Sequence, residues 1–237
     1  MKKIILFISL FLFPYFVDAS SMYQDIDILE NGDIRIKESI SIDGSYNGFR
    51  LTLGYKYYDE FKMYSADSLE VVKVCESDKN DTLYLIGECF TEVTNANKGD
   101  SLKYTRETNS NGDTFMLYNP SSRRKAFYIE YILKNVIVQY NDINELRLNL
   151  LDDSLSEDFD IVKVKVSLPK VSNELRAWAH GPLWGNIVLE ENKEYVEFSI
   201  NDYDAYTAVD IRMAFDKELV TTNKTYNIDK LESIINE

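Results

Sequence analysis

The chain has 237 residues, 45% hydrophobic and 28% charged, with 40 acidic against 26 basic side chains and a formal net charge of −14. Such an excess of carboxylates argues against nucleic acid or anionic lipid as a partner, since both need a basic surface. Two cysteines and a single histidine leave a structural zinc site one ligand short.

At the N-terminus, Lys2 and Lys3 precede an uncharged apolar run from Ile4 to Val17, followed by Val17-Asp18-Ala19 and then Ser20. A basic start, a short apolar core and small residues at the end describe a secretory signal over residues 1–19. The run is below the roughly 20 residues that span a bilayer. Removal of residues 1–19 leaves 24 basic and 39 acidic side chains, a net charge of −15. The mature length suits one large β-domain, which buries a core without cross-links.

Beyond the leader, strand signals dominate. Ile34, Ile36, Ile40 and Ile42 share one parity, with Arg35 and Lys37 on the other. The same period-2 pattern runs through Phe127, Ile129, Tyr131 and Leu133, through Val162, Val164, Val166 and Leu168, through Val196, Phe198 and Ile200, and through Val209, Ile211, Met213 and Phe215. Strict alternation gives one buried and one wet face, which predicts an antiparallel β-sandwich of two sheets and roughly ten or more strands over residues 22–220. Turn chemistry stands between the runs, with Asn31-Gly32 marking a tight hairpin. The polar stretch 94–113 reads as an excursion from the sandwich. Over 225–237, Ile228, Leu231, Ile234 and Ile235 form one apolar face and predict a helix.

Cys75 and Cys89 lie in two strand-like segments on either side of the turn-forming Ser77-Asp78-Lys79-Asn80-Asp81. In an exported chain such a pair is more often a disulfide than two free thiols, and a cross-strand bridge forms if the two segments lie opposite one another. The acidic clusters are poor metal sites. Glu107-Thr-Asn109-Ser-Asn111-Gly112 opens like an EF-hand loop, but Tyr118 stands where a bidentate Glu is needed. No metal and no cofactor are expected.

Catalytic signals are equally thin. His180 has no nucleophile motif around it and no second histidine, so the stretch Arg176–Gly185 reads as a corner between strands, with Trp178 and Trp184 packing beside it. Tyr203 and Tyr206, with Asp202 and Asp204, are the candidate binding residues, since sugar-binding modules present aromatics and carboxylates from a sandwich. The alternative is an enzyme acting on envelope polysaccharide with two carboxylates from Asp152–Asp160, Asp202 or Asp204 in a cleft. A calcium-stabilised adhesin is the third reading.

The order of segments resembles the N-terminal extracytoplasmic region of the bacterial predicted-membrane-protein family called domain of unknown function 2207. The likeness rests on Gly48-Phe49-Arg50, on Tyr140 with Asp142 and Glu145-Leu146, on the strand ending in Leu168-Pro169, and on His180-Gly181-Pro182-Leu183-Trp184-Gly185. Leu148 stands where the family pattern carries a Trp. The resemblance implies an exported domain on the extracellular face of the cytoplasmic membrane, or a secreted one if the chain ends at Glu237. It also implies that 225–237 begins a helix leading to a membrane region outside this chain. It implies no catalytic residue. The expectation is a non-enzymatic binding or scaffolding module whose partner is an envelope component, a protein or its own membrane region, engaged through an open, shallow tyrosine-bearing face or an exposed strand edge.

Overall fold

The computed structural model describes residues 20–42, 46–80, 83–121 and 125–236; the expected leader, 1–19, lies outside them. Sixteen strands follow in chain order: β1 Ser21–Ile28, β2 Ile34–Ile42, β3 Tyr46–Gly54, β4 Leu69–Asn80, β5 Leu83–Cys89, β6 Thr91–Glu92, β7 Lys103–Thr108 and β8 Gly112–Ser121. They continue as β9 Lys125–Leu133, β10 Val138–Gln139, β11 Ile143–Leu151, β12 Phe159–Ser167, β13 Leu175–His180, β14 Asn186–Leu189, β15 Tyr195–Tyr203 and β16 Val209–Asp216. A 3₁₀ turn covers Asp59–Tyr64, another Lys217–Leu219, and a short helix α1 covers Leu231–Ile235.

Hydrogen bonding joins these into an eight-stranded sheet, β14-β15-β12-β1-β2-β9-β4-β5, and two four-stranded sheets, β10-β11-β16-β13 and β3-β8-β7-β6. The large sheet turns one face toward both small ones across a common core. Ile26, Ile36, Val164 and Val166 come from the large sheet, Leu146, Ile211, Met213 and Phe215 from one small sheet, and Phe49, Phe115 and Leu117 from the other. Phe49 stacks on Phe127 across the layers at 5.5 Å. Each such side chain contributes about 1.5–3 kcal/mol by leaving water, which is why the inward parity is uniformly apolar.

The high β content matches the alternation in the sequence, but the pairing is mixed and the hydrogen-bonded sheets are three. Asn31-Gly32 closes the β1–β2 hairpin, with Gly32 at φ +83. The other edge of β1 takes β12 in parallel, and β6 pairs with β7 in parallel. Parity fixes which face of a strand is buried and leaves the direction of its neighbour open. A strand pairing with one more than a hundred residues away is therefore free to run either way.

The stretch 94–113 is not a wholly irregular excursion. Its second half is β7, where Tyr104 is buried and Arg106 binds the fully buried Asp113 carboxylate and the Leu69 carbonyl. Nor does a helix fill 225–237. Residues 220–230 run without helix alongside the small sheet, with Thr225 bridging Gln139, and only Leu231–Ile235 coil. Backbone partners supplied by Gln139 and Asn141 satisfy this segment without a helix.

The cross-strand disulfide Cys75–Cys89 joins β4 to β5. Among the described residues no helix is long and apolar enough to cross a membrane.

Candidate functional site

The corner Arg176–Gly185 connects an edge of one sheet to an edge of another. β13 is the last strand of the sheet that contains β11 and β16, and β14 is the last strand of the large sheet. The chain crosses between layers over Gly181–Gly185, in a turn closed by the Gly185 amide donating to the Pro182 carbonyl at 3.1 Å. Gly181 passes close to the layer behind it, and an added Cβ would stand 3.2 Å from a Val209 methyl. The two tryptophans therefore diverge rather than packing together. Trp178, in register with Arg212, is partly buried against the small apolar cluster that includes Tyr64, Val138 and Ala214. Trp184 stays 53% exposed, its indole N–H donating to the Asn201 carbonyl at 3.0 Å. His180 ends β13, exposed and opposite Asp210.

Two features set this corner apart. From Ala177 to Leu189 no Asp, Glu, Lys or Arg occurs, the longest such run after residue 19 in a chain that is 28% charged. Several of its apolar side chains are exposed: Leu183 is 100% exposed, and on the open edge of β14 Val188 is exposed on the outer face while Ile187 and Leu189, opposite the core residues Phe198 and Val196, are left partly uncovered at the sheet edge. Grouped exposed apolar residues of this kind mark contact surfaces, and an open strand edge invites pairing or cover. Behind the corner, between the layers, lies a cavity of about 210 Å³. Val162, Val164, Phe198, Ile200, Val209 and Ile211 form its walls, with Gly181, Pro182 and Gly185 at the corner side. None of its lining residues is charged.

A second cavity, about 230 Å³, opens where β3 and the end of β11 meet. Arg50, Asp152 and Tyr206 line it together with Glu38. Glu38 projects from the inward parity of β2, is 0% exposed, and has one carboxylate oxygen without a hydrogen bond. Burial raises its pKa from 4.5 to about 7, against smaller opposing pulls from the Gln24 amide and the Tyr131 hydroxyl. Gln24 is its cross-strand partner, and Tyr131 donates to the other oxygen at 3.5 Å. Residue type alone gave no reason to single out Glu38. Its place between Ile36 and Ile40 on one parity was the available signal.

The other residues singled out in the sequence divide by role. Tyr203 is buried against Phe159, with its hydroxyl on the Thr207 carbonyl, whereas Asp202, Asp204 and Tyr206 are exposed. Of the carboxylates over 150–160, three accept backbone amides: Asp152 from Ser154, Asp158 from Ala205 and Asp160 from Ser20. Among the described residues no three His, Cys, Asp or Glu converge as a metal set. Tyr140, Asp142 and Glu145 lie together on the small sheet. Glu145, fully buried, receives Tyr64 at 2.8 Å and the Arg212 guanidinium. Tyr140 stacks on Tyr226 at 5.8 Å. Asp142 accepts the amides of Lys230 and Leu231, both at 2.9 Å, at the start of α1. This group anchors the C-terminal segment. Pro169 follows β12 and ends it.

The model of the DUF2207 predicted membrane protein N-terminal domain matches residues 18–215. No curated protein matches the chain. Solved structures of similar arrangement include a candidate protease from Parabacteroides distasonis, at 9% identity and TM-score 0.43, covering 82% of this chain and 39% of that one. An M1 zinc metallopeptidase from Deinococcus radiodurans matches at 8% identity and TM-score 0.38, with coverages of 81% and 41%. An aminopeptidase N family protein from Idiomarina loihiensis matches at 10% identity and TM-score 0.41, with coverages of 81% and 29%. The chain thus spans well under half the length of these structures.

Proposed function

Because the chain belongs to the predicted membrane protein family DUF2207, as its N-terminal domain, we propose that it is an extracytoplasmic binding or scaffolding domain of a membrane-associated envelope protein. It acts without catalysis and engages its partner through the corner Ala177–Leu189. The observation that carries this is the exposure of the apolar side chains of Leu183, Trp184, Val188 and Leu189 within one uncharged stretch of an otherwise strongly acidic chain. A soluble domain gains nothing from leaving these side chains in water.

A second reading, hydrolysis of envelope polysaccharide by a carboxylate pair, draws on Asp152 and Glu38 lining one cavity. Glu38 has no exposed surface, so a sugar would have to displace the wall of the cavity to reach it. Binding through the open corner needs no such movement and is preferred.

The test compares the domain with its Leu183→Asp and Val188→Lys variants for association with isolated cell-envelope membranes. Both side chains are exposed, so each variant should hold its folding stability within about 0.5 kcal/mol of the parent. Binding of the parent that both variants lose is the expected result. Equal binding by all three removes the corner from the function.

A further inference from the structure

We propose that the partner engaged by this corner is the lipid bilayer itself: Leu183 and Trp184 seat in its interface, and the cavity behind them accepts a hydrocarbon chain. The inference rests on the binding role assigned to the corner and names the chemistry of what it binds.

Five observations point to lipid. Leu183 stands fully clear of the protein at the tip of a tight turn. The turn is closed by the Gly185 amide donating to the Pro182 carbonyl, which removes one donor and one acceptor from apolar surroundings that offer no partners. Trp184 adds an amphipathic ring of the kind enriched at membrane interfaces, and its N–H is already engaged by Asn201. The cavity is lined on both layers by aliphatic side chains, with Phe198 the one aromatic ring and Asn186 and Ser199 the polar residues. Finally, the flanks forbid deeper entry. Arg176 on one side and Glu190 and Glu191 on the other end the uncharged run abruptly, limiting insertion to the corner.

A second copy of the chain fits less well. β14 offers four residues of free edge, far from the roughly 800 Å² per partner of a stable interface. A lipid needs no matching surface. The acidity of the chain decides which lipid: a zwitterionic bilayer is favoured, and an anionic one is opposed by repulsion that salt relieves.

The experiment is co-sedimentation of the whole chain with phosphatidylcholine vesicles, beside the same vesicles containing phosphatidylglycerol, at low and high salt. Expected are binding to phosphatidylcholine that salt leaves unchanged, weaker binding to the anionic vesicles that salt restores, and loss of about tenfold or more in partitioning for Leu183→Asp. For the cavity, monomeric dodecylphosphocholine should shift methyl resonances of Val162, Val164, Ile200 and Val209. Shifts confined to exposed residues would overturn chain uptake. Absence of vesicle binding, with corner-dependent binding to native membranes retained, would overturn the lipid inference and leave the binding role standing. The same is true if the corner instead mediates a dimer in solution. Loss of both kinds of membrane binding would sink the two together.

Discussion

Glu38 permits a sharp energetic prediction. Its carboxyl is buried on every side, faced by the neutral Gln24 of β1 and Tyr131 of β9, with Arg50 and Asp152 the charged residues of the cavity it lines. Burial moves its pKa from 4.5 to about 7, and at about 1.36 kcal/mol per pH unit the ionised form costs about 3 kcal/mol. The sign follows from linkage: the folded chain holds this proton to higher pH than the unfolded chain. Its contribution to stability is therefore full below pH 4.5 and declines as the pH rises through about 7. Glu38→Gln keeps the shape and removes the charge. Urea unfolding should find the variant and the parent nearly equal at pH 4.5, with the variant gaining up to about 3 kcal/mol by pH 8. A difference between the two that stays constant across this range would refute the burial argument. So would a variant that is the less stable at pH 8.

Three further outcomes follow from the buried contacts. Arg212→Met removes the cation paired with the buried Glu145 carboxylate and leaves it beside the Tyr64 and Tyr140 hydroxyls, which should cost about 3–5 kcal/mol in urea unfolding. The double variant with Glu145→Gln should recover much of that loss. Asp142→Ala removes the acceptor of the Lys230 and Leu231 amides, which should cost about 1 kcal/mol locally; hydrogen exchange should speed up over 230–236 while the sheets stay protected. Reducing Cys75–Cys89 opens a loop with a sequence separation of 14 and should lower stability by about 3 kcal/mol. Exchange should rise first in β5, the edge strand of the large sheet opposite β14.

Much of this architecture is visible in the amino-acid order because an alternating strand must bury one parity. Ile34, Ile36, Ile40 and Ile42 are all in the core, as are Val162, Val164 and Val166. The Asn31-Gly32 hairpin and the Cys75–Cys89 pairing followed from local chemistry in the same way. What local patterns do not carry is who lies beside whom. The parallel β1–β12 pair joins segments 140 residues apart, and no feature of either strand records the other's direction. Tyr203 shows a subtler failure. It has the opposite parity to Val196, Phe198 and Ile200, yet Asp202 at φ +52 breaks the alternation and turns the ring into the core. The rare residues of Arg176–Gly185 drew attention by composition. Their significance lies in the divergence of β13 and β14 into different layers, which leaves Leu183 and Trp184 outside and an apolar cavity behind.

The most direct test of the corner as a bilayer contact uses its own chromophore. In a Trp178→Phe background, Trp184 is the single tryptophan of the chain. Titrated with phosphatidylcholine vesicles, its emission should shift to the blue and be quenched by bromine placed at shallow positions on the acyl chains. Emission that stays unshifted and unquenched at saturating lipid would contradict that contact.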